Sequence, residues 1–193
     1  MRAALHRPAL ALALAGVFGP GSAAAQAQVF DLDPTQSWVQ FEVRHFDTST
    51  LRGRFGPLRG EVEIDLVARR GKLGVTIEMA SLDTGFKPLD SRLKEADLLD
   101  VVAQPRAYFV AERFRFDGDR LAEVRGEFTL RGVGVPLSLH AQRFGCVGAP
   151  GPGRRCGGDF VGELRRSEFG ATFGLPFVAD RVQLRLQVEG VAR

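Results

Sequence analysis

Val182-Gln-Leu184-Arg-Leu186-Gln-Val188-Glu189 alternates apolar and polar residues without a fault over eight positions. Successive side chains of a strand point to opposite faces. Val182, Leu184, Leu186 and Val188 therefore share one face, and Gln183, Arg185, Gln187 and Glu189 the other. The same period recurs upstream. Val39, Phe41 and Val43 face away from Gln40 and Glu42; Val62, Ile64 and Leu66 alternate with Glu61, Glu63 and Asp65; Leu73, Val75, Ile77 and Met79 alternate with Gly74, Thr76 and Glu78. Residues 108–116, 122–130, 137–144 and 160–166 complete eight expected strands. Arg70-Gly71, Asp117-Gly118 and Gly132-Val133-Gly134 before Pro136 mark turns between them. Strands joined by turns this short are antiparallel.

One segment departs from the pattern. Asp90-Ser-Arg-Leu93-Lys-Glu-Ala-Asp97-Leu98-Leu99 opens on capping residues, continues in helix formers and stops before Pro105, which predicts one short helix over residues 90–99. Eight antiparallel strands with one apolar face each form either a sandwich or a closed barrel. An eight-stranded barrel is filled by side chains or holds one small ligand. The fifteen Phe against one Trp and one Tyr suit a plain core and a greasy pocket equally well.

The N-terminus has the layout of a secretory signal peptide. Met1 to Arg7 is short and basic, Pro8 to Phe18 is almost wholly apolar, and small residues end in two A-x-A sites, predicting cleavage after Ala25 or Ala27. The apolar run is about a dozen residues, short of the roughly 20 that span a bilayer, so an uncleaved anchor is the weaker alternative. Residues 1–27 are thus read as a leader and 28–193 as one domain of an exported protein. The leader carries two cations and no acid. The mature chain therefore has 24 cationic against 23 acidic residues, a formal +1 in place of +3, and scattered charge of that balance argues against a nucleic-acid partner.

Cys146 and Cys156 bracket a Gly/Pro-rich stretch; in an oxidising compartment such a pair is expected to form a disulfide that closes a loop outside the core. A redox role would want Cys-x-x-Cys beside a helix start. No metal site is expected, since neither His45 nor His140 has a Cys or second His at ligand spacing.

Five blocks in order resemble the YceI-like family, lipocalin-like polyisoprenoid-binding domains of bacterial periplasms, from about Phe30 to Val191. They are Asp31-Leu-Asp33-Pro-Thr-Gln-Ser37-Trp-Val-Gln-Phe41-Glu-Val-Arg-His45, Gly53-Arg-Phe55, Ser81-Leu-Asp-Thr84-Gly85 with Asp90, Leu93, the 97–100 stretch, Pro105 and Phe109, Gly126-Glu-Phe-Thr129-Leu-Arg-Gly132-Val with Pro136, and Arg166-Ser-Glu-Phe-Gly170. The resemblance implies an all-β fold, an elongated eight-stranded antiparallel barrel with one short helix near one end. It also implies an apolar tunnel for a long isoprenoid, either a ubiquinone-like tail or a polyprenyl phosphate, with no covalent cofactor. Gln36 and Leu98-Leu99 depart from the family, which often has a histidine and a Phe pair there, and the Cys146–Cys156 loop is an elaboration.

On that reading Phe41, Val43, Ile64, Ile77, Phe109 and Leu184 line the tunnel. His45, ending the inward run of β-period residues, is read either as a hydrogen-bonded histidine of the barrel rim or as standing where a head group leaves the tunnel. Asp90 and Arg166 are expected to form an ion pair tying the helix to the barrel, with head-group recognition as the second role. No catalytic residues are expected. There is no nucleophile elbow, metal helix or phosphate loop, and the single Asp83-Thr84-Gly85 lacks the second carboxylate an aspartic dyad needs. The expected role is binding and carrying an isoprenoid lipid, as a monomer or homodimer. The alternatives are a quinone-loaded electron-transfer partner of a membrane cytochrome, or a filled-barrel stress protein.

Overall fold

The computed structural model describes residues 27–193, so all of the expected leader but Ala27 lies outside the described residues. Ten strands follow: β1 (Gln28–Leu32), β2 (Trp38–His45), β3 (Ser49–Phe55), β4 (Arg59–Asp65), β5 (Arg70–Glu78), β6 (Arg106–Asp117), β7 (Arg120–Leu130), β8 (Val133–Val147), β9 (Arg155–Arg165) and β10 (Val178–Ala192). They form one antiparallel sheet in the order β1-β4-β5-β6-β7-β8-β9-β10-β2-β3, and β1 also pairs with β10.

That pairing closes an eight-membered ring. β1 meets β10 at residues 190–192 and β2 meets the same edge of β10 at residues 178–187, while β2 pairs with β3 and β1 with β4. β1 and β2 are therefore two halves of one broken barrel strand, and β3 and β4 two halves of its neighbour. The two segments absent from the sequence reading are β1 and β3. β1 is only five residues long, and β3 carries Arg52, Gly53 and Arg54 at its centre, so neither shows a sustained apolar period.

Both breaks have a polar seam. At the first, Asp33 accepts from the amide and hydroxyl of Thr35, an Asx turn that takes the chain out of β1. The buried Ser37 hydroxyl accepts from the Glu189 amide and donates to the Glu189 carbonyl, each 3.1 Å. One side chain thus replaces the ladder rung that the broken strand omits. At the second break, the Gly56 amide donates to Ser81 Oγ. Gly60 follows with φ +154°, where an added Cβ would lie 2.1 Å from the Gly74 carbonyl oxygen, so only glycine fits that close approach.

Single-residue bulges keep the apolar face inward along the long strands. On β6 the inward set changes from Phe109 and Ala111 to Phe114 and Phe116 across a register shift. On β8 it changes from Leu139 and Ala141 to Phe144 and Cys146 in the same way.

The helix is shorter and earlier than expected. α1 covers Lys87–Leu93, with Pro88 in its first turn and Phe86 at its N-cap, the place where proline's missing N–H costs nothing. Asp90 therefore lies within the first turn and caps nothing, and residues 94–99 form successive turns. α1, a 3₁₀ turn at Arg166–Phe169 and the 170–177 loop lie at one end of the barrel, beside the β2–β3 and β7–β8 turns. The β4–β5, β6–β7 and β8–β9 turns lie at the other.

Candidate functional site: an apolar cavity with one buried arginine

The barrel encloses a cavity of about 240 Å³ to which all ten strands contribute side chains. A buried water needs roughly 10–15 Å³ of such space and two to four polar partners. This wall offers the space and almost none of the partners, the condition under which a cavity stays dry. Its lining residues on β10 run from Val182 to Gly190. At about 3.3 Å per residue that is roughly 26 Å of strand, or about 20 Å along the axis of a barrel whose strands tilt by about 40°.

Phe41, Val43, Ile64, Ile77, Phe109 and Leu184 all lie on this wall. Phe41 pairs with Gly53 on one side and Leu184 on the other. A Cβ at position 53 would sit 2.6 Å from the Phe41 ring, so glycine leaves the ring room to lie across its neighbour, 5.6 Å from Phe55. Leu93, Leu98 and Leu99 reach the cavity from α1 and the turns after it. The Arg131 guanidinium holds this covering segment by donating to the Ala96 and Leu98 carbonyls, and Arg92 lies 4.2 Å over the Phe173 ring. Leu58, Met79 and Phe128 also line the wall. Leu58 has no exposed surface but stands in a strand break beside proline, where no periodic signal could reveal it.

His45 is not on the wall. The inward run ends at Val43, and the half-buried imidazole packs edge-on against Phe46, 4.6 Å between ring centres. Phe46 in turn stacks on Phe177. The expected position at the head group is thereby corrected: the β2–β3 turn begins at once and carries His45 away from the lumen.

The expected Asp90–Arg166 pair is not formed. The buried Asp90 carboxylate accepts from the Thr84 hydroxyl at 2.7 Å, the Thr84 amide at 2.8 Å and Lys87 Nζ at 3.2 Å. The Thr84 bonds, with Lys87 adding to them, hold its pKa below the ordinary carboxylate value. Asp90 thus fastens α1 to the Ser81–Gly85 stretch, whose Asp83 bridges to Arg54 through the backbone. That block of sequence is a structural knot.

Arg166 does line the cavity, and it is 8% exposed. Its Nε donates to the Ala179 carbonyl, Nη1 to those of Ala171 and Phe173, and Nη2 to that of Val178, at 2.6–2.9 Å. Burial pushes its pKa down, with Asp180 acting in the opposite sense. Asp180 itself accepts from the amide and hydroxyl of Ser167. At the far end of the barrel Cys146 and Cys156, directly opposed on β8 and β9, are disulfide-bonded. The bond is a rung of the hairpin, and Cys156 is part of the cavity wall; only the tip beyond it, residues 148–154, stands outside the barrel as expected. Among the described residues no three His, Cys, Asp or Glu side chains are grouped to hold a metal.

An antiparallel barrel of eight strand positions closed around an elongated apolar cavity, with short helical segments across one end, is a lipocalin-like barrel. Residues 30–190 match the YceI-like domain, and the chain belongs to that family. It is 32% identical over 176 residues to Protein YceI of Escherichia coli O157:H7, covering 91% of this chain and 92% of that one. The Salmonella newport protein of the same name matches to the same extent. Among solved structures, Burkholderia cenocepacia BcnA superposes with a TM-score of 0.65 at 23% identity, covering 82% of this chain and 99% of that one. A polyisoprenoid binding domain from Saccharophagus degradans, implicated in plant cell wall breakdown, gives 0.63 at 16% identity over 86% and 99%.

Proposed function

We propose that this chain is a periplasmic carrier that holds a long isoprenoid lipid in its barrel and performs no chemistry on it. The observation that carries the reading is the cavity: elongated, dry by composition, and walled by aliphatic and phenyl side chains from every strand. Burial is worth about 0.8 kcal/mol per CH₂, so each five-carbon isoprene unit brings roughly 4 kcal/mol before the costs of association. A chain of several units needs no dense set of polar contacts. Arg166 and Glu189 are the titratable residues along the cavity; they stand at opposite ends of it, Arg166 held by backbone carbonyls and the Glu189 carboxylate turned outward to Arg155, so they do not form an acid–base pair. The name of the Saccharophagus relative agrees with this ligand class. The Cys146–Cys156 bond suits an oxidising compartment, in keeping with a leader removed after Ala25 or Ala27.

The test is organic extraction of protein purified from a native periplasmic fraction, followed by mass spectrometry of the extract. A stoichiometric prenyl lipid is the expected result. A cavity found empty, or loaded with unbranched acyl chains alone, would overturn the isoprenoid reading.

A further inference from the structure

Phe46, Phe86, Phe173 and Phe177 are the exposed phenylalanines among the described residues, each with more than half of its surface open to solvent. All four stand at the α1 end: Phe46 in the β2–β3 turn, Phe86 at the N-cap of α1, and Phe173 and Phe177 in the 170–177 loop. The turns at the opposite end, residues 66–69, 118–119 and 148–154, carry no aromatic residue. A single exposed apolar residue is ordinary, but rings gathered at one end of a molecule call for a partner.

The rings are presented on fixed backbone. Phe46 and Phe177 stack 5.5 Å apart, and the Phe46 amide donates to the Phe177 carbonyl at 2.7 Å. The buried Arg166 donates to the carbonyls of Ala171, Phe173, Val178 and Ala179 and so holds the loop that carries two of the rings. Arg92 of α1 lies 4.2 Å over the Phe173 ring, and the residues after it, Leu93, Leu98 and Leu99, line the cavity. The outer apolar surface and the cover of the cavity thus belong to one connected set of segments. Charge beside the rings is already matched: Arg44 pairs with Asp47 at 3.3 Å, Lys87 with Asp90 at 3.2 Å and Arg92 with Asp97 at 2.7 Å.

We infer that the α1 end is a docking surface for a phospholipid bilayer. The phenyl rings enter the interface, and the charged groups beside them stay at head-group level. This rests on the carrier reading, and the cargo identifies the partner. A prenyl chain is driven out of water, so a carrier takes it up from a bilayer and returns it to one. Because the neighbouring cations are matched, the attraction is apolar and needs no anionic lipid.

The experiment is co-sedimentation of the purified mature protein with sucrose-loaded vesicles, of phosphatidylcholine alone or of phosphatidylethanolamine with phosphatidylglycerol. The protein should partition onto both, with a change below about two-fold between about 0.05 and about 0.5 M salt, a range that screens exposed charges. Binding confined to the phosphatidylglycerol vesicles, or lost at high salt, overturns apolar docking. Phe46→Asn with Phe177→Ser should lower partitioning about ten-fold, because two rings no longer leave water; Asn suits the positive φ at position 46. Val67→Ser with Val147→Ser alters exposed apolar residues at the opposite end and should change nothing. No vesicle binding, or an equal loss in both variants, overturns the docking surface. A dimer that the Phe46 and Phe177 changes dissociate, without vesicle binding, assigns the rings to a second copy instead.

A second readout separates docking from the carrier reading: uptake of radiolabelled geranylgeraniol from phosphatidylcholine vesicles. The variant altered at Phe46 and Phe177 should load about ten-fold more slowly, in proportion to its lost partitioning, and reach the same final occupancy. Equal rates overturn the docking surface and leave the carrier reading standing. No uptake by the unaltered protein overturns the carrier reading and the inference that rests on it.

Discussion

Phe41→Asp tests whether the lumen is dry, and it has a worked ceiling. The side chain at this position points into the cavity between Gly53 and Leu184. An ionised carboxylate there has no donor to meet, but the protein escapes the full desolvation cost by binding a proton. The penalty is therefore capped by the work of protonating an aspartate whose unfolded pKa is about 3.9, at about 1.36 kcal/mol per pH unit. That cap is about 1.5 kcal/mol at pH 5 and about 5.6 kcal/mol at pH 8. A folded-state pKa raised above the unfolded value gives stability that is fully present below about pH 3.9 and is lost as pH rises. Phe41→Asn loses the same ring contacts but has nothing to titrate.

The two variants should therefore diverge by up to about 4 kcal/mol between pH 5 and pH 8, or roughly 8–16 °C in melting temperature for a chain of this size. Thermal and denaturant unfolding of the ligand-free proteins at both pH values measures the divergence. Prenyl-lipid binding by Phe41→Asp should recover in part at pH 5, where the carboxyl is neutral. Parallel pH profiles for the two variants, within about 0.5 kcal/mol, would refute a dry lumen at Phe41.

Removing the disulfide as Cys146→Ser, Cys156→Ser releases a loop of ten-residue separation, worth about 3 kcal/mol in the chain-entropy account. The melting temperature should fall by roughly 6–12 °C with ligand retained at 25 °C, and a loss of ligand from the folded variant would contradict this. Ser37→Ala leaves the buried Glu189 amide without an acceptor, while the Glu189 carbonyl still accepts from the Asp33 amide. It should cost about 1–3 kcal/mol by urea unfolding, and a cost near zero would mean the break is sealed by other means. Glu123 is buried beneath Arg125 and Arg115, which hold its pKa down to about 2. Its depressed folded pKa gives stability present above about pH 4.5 and lost as pH falls toward 2. An acid-unfolding limb unchanged in Glu123→Gln would remove that assignment.

The barrel was legible because one period runs through most of its strands. Where apolar residues alternate for six or more positions, as from Val182 to Val188, a single register buries them and a slip by one would expose them all. The count of eight positions emerged although two segments were missed, because β1 and β3 are the short halves of strands whose other halves, β2 and β4, carry clear alternation. Cavity-lining residues followed from the same parity. The bulges did not, since an inserted residue such as the one near Glu112 only shifts the phase of a pattern and leaves each half regular.

Parity also explains where the polar assignments failed. His45 continues the odd-numbered face of Val39, Phe41 and Val43, but that face exists only while the chain is extended, and the turn at Phe46 and Asp47, both with positive φ, ends it. Asp90 and Arg166 invited pairing because they carry opposite charges and stand one on the helix and one on the barrel. A sequence displays side-chain donors and acceptors by type, whereas the acceptors that hold Arg166 are main-chain carbonyls at Ala171, Phe173, Val178 and Ala179. These belong to residues whose side chains advertise nothing. Asp90 is held in part by the Thr84 amide, equally silent in the sequence. The inward direction of Arg166 was readable from the strand that precedes it, and its partners were not. The sequence therefore placed a cation on the lumen but paired it with the wrong group. With backbone carbonyls as its partners, the guanidinium is turned into the 171–179 loop, and Arg166 meets the almost wholly apolar cavity through its stem.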